Sequence, residues 1–297
     1  MKFIHLMDQD FPIRELKKKD FPSQLLEIPE PPEKLFIRGD LPGPDTKLLC
    51  VVGSRRYTNY GKEVCEKLIS GLRGYDVAIV SGLAIGIDGI AHEAAINTGL
   101  KTIAIPGSGL GVSSIHPMAH LGLAKKILDT GGCLLSEYEE SFKATQYSFP
   151  QRNRIMAGLS CAVLIIEAEI KSGTLITSRL ATEYNKDVLT VPGNIFSKTS
   201  EGPHLLIRLG ATPITKTEEL LEALGFKNKD SEPRNLELEY AECSPEEKKV
   251  INLLRAPMEK DTLLRSLNIP TGQANAVLSV MELKGLIKET LGEIHLT

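Results

Sequence analysis

Glycine, hydroxyl and guanidinium groups recur together in this chain beside short apolar runs, a combination suited to holding a phosphate-like anion. Gly53-Ser54-Arg55-Arg56 follows the run at 48–52 (LLCVV), and Phe149-Pro150-Gln151-Arg152-Asn153-Arg154, which reads as an arginine-rich turn ahead of a short helix, precedes the run at 161–167 (CAVLIIE). Ser172-Gly173-Thr174 comes soon after that second run. Glycine lets a backbone approach a ligand, arginine grips phosphate as a planar fork, and the N–H groups that open a helix face an anion. Phe149, beside the arginines, could stack on a base. Each residue also has a plain structural role open to it: a helix cap for the hydroxyls, a solvated surface for the arginines, a core anchor before Pro150 for Phe149.

Other chemistries find less in the sequence. His92, His116, His120 and His204 are scattered, without a nucleophile–base pair or metal-ligand spacing. Asp88, in GLAIGIDG, suits a helix cap or a ligand contact, and with Glu167 it is the candidate acid–base group of a rival reading, a nucleotide-processing hydrolase. No G-x-G-x-x-G appears, so no dinucleotide cofactor is expected.

The elements that must carry these loops alternate. Leu48–Val52, Asp76–Ser81, Lys101–Pro106, Cys133–Ser136, Cys161–Glu167, Val188–Val191 and Ala211–Ile214 read as strands, and Cys161–Glu167, a nearly unbroken apolar run, reads as a central one buried on both faces. Helical stretches lie between them, beginning near Gly61, Ile90, Met118, Thr174 and His204. That rhythm predicts an α/β fold, a doubly wound and mostly parallel sheet over residues 46–225, with its ligand face at the carboxyl ends of the strands. Ahead of it, residues 1–45 read as an extended wrapper pegged by Leu25, Ile28, Leu35 and Phe36; Lys17-Lys18-Lys19 reads as a solvated face.

Residues 226–243 turn polar and acidic, as a linker does. Beyond it, residues 244–297 show three helical stretches and a hairpin turning at Leu291-Gly292, the pattern of a small winged helix-turn-helix domain. Seven Lys/Arg there balance seven Asp/Glu, and the third helix brings only Gln273 and Asn275 as amides. Protein contact or a structural role therefore fits that domain better than sequence-specific reading of a duplex.

The whole chain of 297 residues has a net charge of −3, so any site for a polyanion must be local. Five cysteines without C-x-x-C spacing point to reduced thiols, and no apolar run is long enough to span a membrane. The amino terminus lacks a signal-peptide core, and a cytoplasmic protein is expected.

Taken together, VVGSRRYTNYG, SGLAIGIDGIAH, FPQRNRIMAGLS, EAEIKSGTLITSRLA and VPGNIFSKTSEGPHLLIRLGA closely resemble the DNA-processing protein A family, also called DprA or Smf, over residues 22–215. The resemblance implies an extended Rossmann-like domain that binds single-stranded DNA in a basic hollow and loads the recombinase RecA during natural transformation, without catalysis. It implies DNA contacts from Gly53, Ser54 and Arg55, from Phe149, Arg152, Asn153 and Arg154, and from Ser172, Gly173 and Thr174, with Lys143 counted beside them. It also implies a homodimer through the segment matching Gly202–Gly210, with His204, Leu205 and Ile207 at the interface. Two departures stand out: Ile85 occupies a position where the family commonly has arginine, and IHPMAH at 115–120 stands where a tyrosine-proline pair is common.

Overall fold

The computed structural model describes residues 7–226, 244–254, 258–267, 269–284, 286–290 and 293–296. They belong to two compact units, divided between residues 227 and 228.

In the larger unit nine strands form one sheet among the described residues: β1 (Arg14–Leu16), β2 (Leu35–Gly39), β3 (Lys47–Val52), β4 (Val77–Ser81), β5 (Thr102–Ala104), β6 (Cys133–Ser136), β7 (Ala162–Ile165), β8 (Asp187–Thr190) and β9 (Thr212–Pro213). Their order is β1-β2-β6-β5-β4-β3-β7-β8-β9. Every pairing from β6 to β9 is parallel, while β2 runs antiparallel to both β1 and β6. Apart from the single turn Ser23–Leu26, the α-helices described there are α1 (Asn59–Ser70), α2 (Ile87–Thr98), α3 (Leu121–Asp129), α4 (Ser148–Leu159), α5 (Thr174–Glu183), α6 (Glu201–Arg208) and α7 (Thr217–Ala223).

Burial on both faces explains the unbroken apolar runs. Leu49 and Val51 of β3 point into one core with Leu68 and Ile69 of α1 and Ile87 and Ala91 of α2. Cys50 and Val52, between them, point into a second core with Ile155 and Met156 of α4 and Ala181 of α5. A strand whose alternate residues enter two cores has no solvent face to mark with polar residues.

Two expectations are corrected. Residues 1–45 do not merely wrap the domain, because Arg14–Leu16 and Leu35–Gly39 join the sheet, Phe36 pairing with Ser136 and Arg38 with Leu134. Arg38, 1% exposed, then fastens the start of the described chain: its guanidinium donates to the carbonyls of Leu110, Met7 and Phe11 at 2.9–3.0 Å and to Asp8 Oδ1 at 2.5 Å. The second correction concerns FPQRNR, read as a turn. It is the first part of α4. Pro150 is the third residue of that helix, where its missing N–H has no intrahelical acceptor to lose.

The smaller unit holds α8 (Pro245–Leu253), α9 (Lys260–Ser266), α10 (Thr271–Leu283) and a three-stranded antiparallel sheet of β10 (Met258–Glu259), β12 (Glu293–Leu296) and β11 (Ile287–Thr290), in that order. Ser244 caps α8 through a reciprocal pair, its Oγ accepting Glu247 N–H while Glu247 Oε2 accepts Ser244 N–H. The expected linker and the expected turn at Leu291-Gly292 lie outside the described residues.

Candidate nucleic-acid interface

In the parallel part of the sheet, the order runs outward from β3 to β6 on one side and from β7 to β9 on the other. The loops leaving β3 and β7 therefore part in opposite directions, and a crevice opens beyond the carboxyl ends of those two strands. A hollow of about 540 Å³ lies there. Its walls come from the loop after β3, the loop between β4 and α2, the first half of α4, and the loop that opens α5.

Two glycines let these loops meet. Gly86 has φ +98°, and a Cβ there would lie 2.4 Å from Ser54 O. A Cβ on Gly82 would lie 2.3 Å from Arg152 Nη1 and 2.5 Å from Asp88 Oδ2. Both side chains therefore crowd against the Gly82 backbone, where Asp88 Oδ2 accepts the Gly82 N–H at 3.1 Å and Arg152 Nη1 donates to Gly82 O at 2.5 Å and to Ile105 O. Burial raises the Asp88 pKa, opposed by the charge of Arg152 and by the N–H groups of Ala84 and Gly82. Burial likewise lowers that of Arg152, against the pull of Asp88.

The lining sorts by depth. Ser54, Asp88, Arg152, Asn153 and Thr174 are buried and form the inner end, while Arg55, Arg56, Lys171 and Glu169 are exposed at the rim. Thr174 ties the two principal loops together, its Oγ1 donating to Gly53 O at 3.2 Å. The Arg55 guanidinium sits 5.4 Å from the centroid of the Phe149 ring, and His116 stands 5.7 Å from the same ring. A guanidinium over an aromatic face is a cation–π contact, so Arg55 is seated rather than freely solvated.

Gly53, Ser54, Arg55, Phe149, Arg152, Asn153, Ser172, Gly173 and Thr174 thus meet around one hollow, as the sequence suggested. Lys143 and Arg154 are not in its lining. Lys143 donates to Ser113 O, and Arg154 is ion-paired with Glu137 and donates to Glu30 O at 2.8 Å. Sequence reasoning passed over Lys171 and Gln146, which line the hollow, and did not count Arg56 among the contacts. Lys171 had a signal, since it directly precedes Ser172-Gly173-Thr174. Glu167, offered as an acid–base group, is outside the lining and fully engaged: it accepts from Thr58 N–H, Thr58 Oγ1 and Thr199 Oγ1 at 2.9, 2.6 and 2.9 Å. Away from the hollow, His204, Leu205 and Ile207 of α6 are half-buried, and His204 Nε2 lies 3.1 Å from Gly193 O.

The family model of DNA recombination-mediator protein A matches residues 13–225, which contain every wall of this hollow. The chain belongs to that family. Among curated relatives, Protein Smf of Escherichia coli is 45% identical over 210 residues, 69% of this chain and 54% of Smf, so the chain spans about half the length of that relative. DNA processing protein DprA of Streptococcus pneumoniae is 39% identical over 218 residues, 73% of this chain and 76% of its own. The X-ray structure of the S. pneumoniae protein superposes with a TM-score of 0.64 at 36% identity, covering 76% of this chain and 78% of that one. DNA processing protein A of Helicobacter pylori, solved in work on its single-stranded DNA binding mode, gives a TM-score of 0.64 at 30% identity over 72% of this chain and 96% of that one. Among the described residues no helix is long and apolar enough to cross a membrane, and no three His, Cys, Asp or Glu side chains come together to hold a metal.

Proposed function

We propose that the larger unit binds single-stranded DNA in the hollow beyond β3 and β7, and that the protein is a non-catalytic mediator presenting the strand to a RecA-type recombinase during uptake of DNA. The observation that carries this reading is the meeting of three exposed cations, Arg55, Arg56 and Lys171, with the opening turn of α5 at the switch point of a sheet whose family is described as recombination mediators. Three phosphate contacts on a single strand correspond to a slope of log affinity against log salt of roughly −2, at about −0.7 each. Arg152 and Arg154 are left out of that count because both are engaged within the protein.

Binding of labelled oligo-dT, compared with duplex and with mononucleotides, tests the proposal. Tight salt-dependent binding of the single strand is expected. Preference for duplex, or turnover of a mononucleotide, overturns it. The hydrolase alternative loses its Glu167 base to three hydrogen bonds, which leaves Asp88 as its only carboxylate of the two in the hollow.

We read the smaller unit as a winged helix, with α8–α10 as its helices and β11–β12 as its wing. The protein is further proposed to form a homodimer through α6. Leu209 is 74% exposed, and Ile195 and Phe196 in the loop before α6 are 77% and 90% exposed, an apolar surface that suits a second copy. Ile207→Glu should give a folded monomer by light scattering; an unchanged mass rules out this interface.

A further inference from the structure

The mouth of the hollow is ringed by apolar side chains that phosphate binding does not use. Tyr57 directly follows Arg56 of the lining, Ile85 follows Ala84, Tyr147 follows Gln146, and Ile170 stands between Glu169 and Lys171. Their exposures are 42%, 52%, 74% and 46%. A single exposed apolar residue is ordinary, but four interleaved with Arg55, Arg56 and Lys171 around one mouth make a patch. The two tyrosines stand on fastened backbone. On either side of Tyr57, Arg56 N–H donates to Ser54 Oγ at 3.0 Å and Thr58 N–H donates to Glu167 Oε2 at 2.9 Å. Tyr147 is followed by buried Ser148, whose Oγ donates to Gly107 O at 2.6 Å and accepts Thr145 N–H at 2.9 Å. A tyrosine ring turns about only two bonds, so on a held backbone it loses little freedom when something stacks on it. The tyrosines also belong to opposite faces of the sheet: Tyr57 leads into α1, which packs in the first core, and Tyr147 into α4, which packs in the second.

We propose that Tyr57 and Tyr147 are stacking platforms for the two bases that flank the nucleotide held in the hollow, so that the bound single strand crosses the carboxyl edge of the sheet from one face to the other. The inference rests on the single-stranded DNA reading above and deepens it. A single strand alternates phosphates with bases, and the mouth alternates cations with apolar side chains. Phosphates meet Arg55, Arg56 and Lys171, while the flanking bases leave water on the rings. Every base has a π-face, so the platforms accept any sequence. Unlike the cations, they release no counterions and add nothing to the salt slope.

The test measures binding of the full chain to two labelled twelve-nucleotide strands of equal charge. Both are abasic except at the centre, where one carries a single thymine and the other three. The three-thymine strand should bind about 100-fold tighter, about tenfold for each stacked base. Tyr57→Ala and Tyr147→Ala should each lower that ratio about tenfold with the salt slope kept, and the double variant should bring it to about threefold, the advantage three thymines have by number alone. A ratio of about three or less in the unaltered protein overturns the platforms and leaves the single-stranded DNA reading standing, whereas no binding of plain dT12 overturns both. An equal loss for both strands in the variants makes the tyrosines part of the framework of the hollow and overturns the proposal, as does a ratio still near 100 in the double variant. A lower mass in light scattering, with the ratio unchanged, assigns the rim to a second copy and overturns it too. Should the variants fail to fold, the two strands on the unaltered protein decide, and a ratio near three there overturns the proposal.

Discussion

Arg55 and Phe149 are distinct on paper and joined in the fold. From residue types alone, one is a salt-sensitive phosphate contact and the other a salt-blind stacking ring, so their substitutions should separate cleanly. With the guanidinium seated 5.4 Å over the ring, removing the ring also unseats the charge. Arg55→Ala should flatten the salt slope by about 0.7, and Phe149→Ala should flatten it as well. In a double-mutant cycle on oligo-dT binding the pair should couple by about 0.5–2 kcal/mol; simple additivity, with the Phe149→Ala slope unchanged, shows the two acting apart. A second residue sets a pH limit on the fold. His92 is wholly buried, and its Nδ1 donates to Thr102 Oγ1 at 2.7 Å while that hydroxyl donates to Ile79 O. Burial pushes its pKa down from 6.5 to about 3. The unfolded chain therefore binds the extra proton first. The contribution is complete above pH 6.5 and is lost as the pH falls toward 3, by at most about 1.4 kcal/mol per pH unit. His92→Gln should make the fall in denaturant-measured stability between pH 6.5 and 4.5 shallower; an equal fall assigns acid sensitivity to other groups.

At the scale of elements, Glu167 is a clasp. It joins the loop before α1, through Thr58, to the segment before α6, through Thr199, and Thr58 passes the support on by capping α1 with its Oγ1 accepting Gly61 N–H at 3.1 Å. Glu167→Gln replaces one of the two accepting oxygens with an NH2 donor, so either Thr58 N–H or the two hydroxyls lose their acceptor, and should cost about 1–3 kcal/mol in denaturant unfolding. Loss below about 0.5 kcal/mol would show the clasp to be slack. How far such elements can be read from sequence depends on whether their cause is local. The central strands were legible, since β3, β4 and β7 must be apolar on both faces and so announce themselves as unbroken runs. Strands β1 and β2 were not legible. β1 is three residues with an exposed start, and β2 takes its partner β6 from about a hundred residues further along the chain, a pairing no local pattern encodes. The start of α4 was misread because a proline looks like a breaker unless its place in the first turn is known. Within the hollow, the glycine and hydroxyl loops were legible from their positions at strand ends. The engagement of Arg152 and Arg154 was not, because residue type alone does not distinguish a solvated guanidinium from one held by carbonyls or a carboxylate.

For the whole molecule, the proposed binding site falls on one unit alone. Every wall of the hollow lies before residue 180, and residues 244–297 carry equal numbers of acidic and basic side chains. Deleting 244–297 should leave oligo-dT affinity within tenfold; a larger loss, beyond about 1.4 kcal/mol, in a truncation that keeps its circular dichroism would give the smaller unit a share of the binding. The antiparallel edge carries a different consequence, one of timing. Residues 35–39 of β2 leave the ribosome well before 133–136 of β6, the strand they pair with. At ~5–20 residues per second, roughly a hundred intervening residues amount to about 5–20 s. Throughout that interval Leu35, Phe36 and Ile37, all buried in the finished sheet, have no β6 to cover them. The nascent chain thus carries an apolar strand in waiting, uncovered until its partner is made.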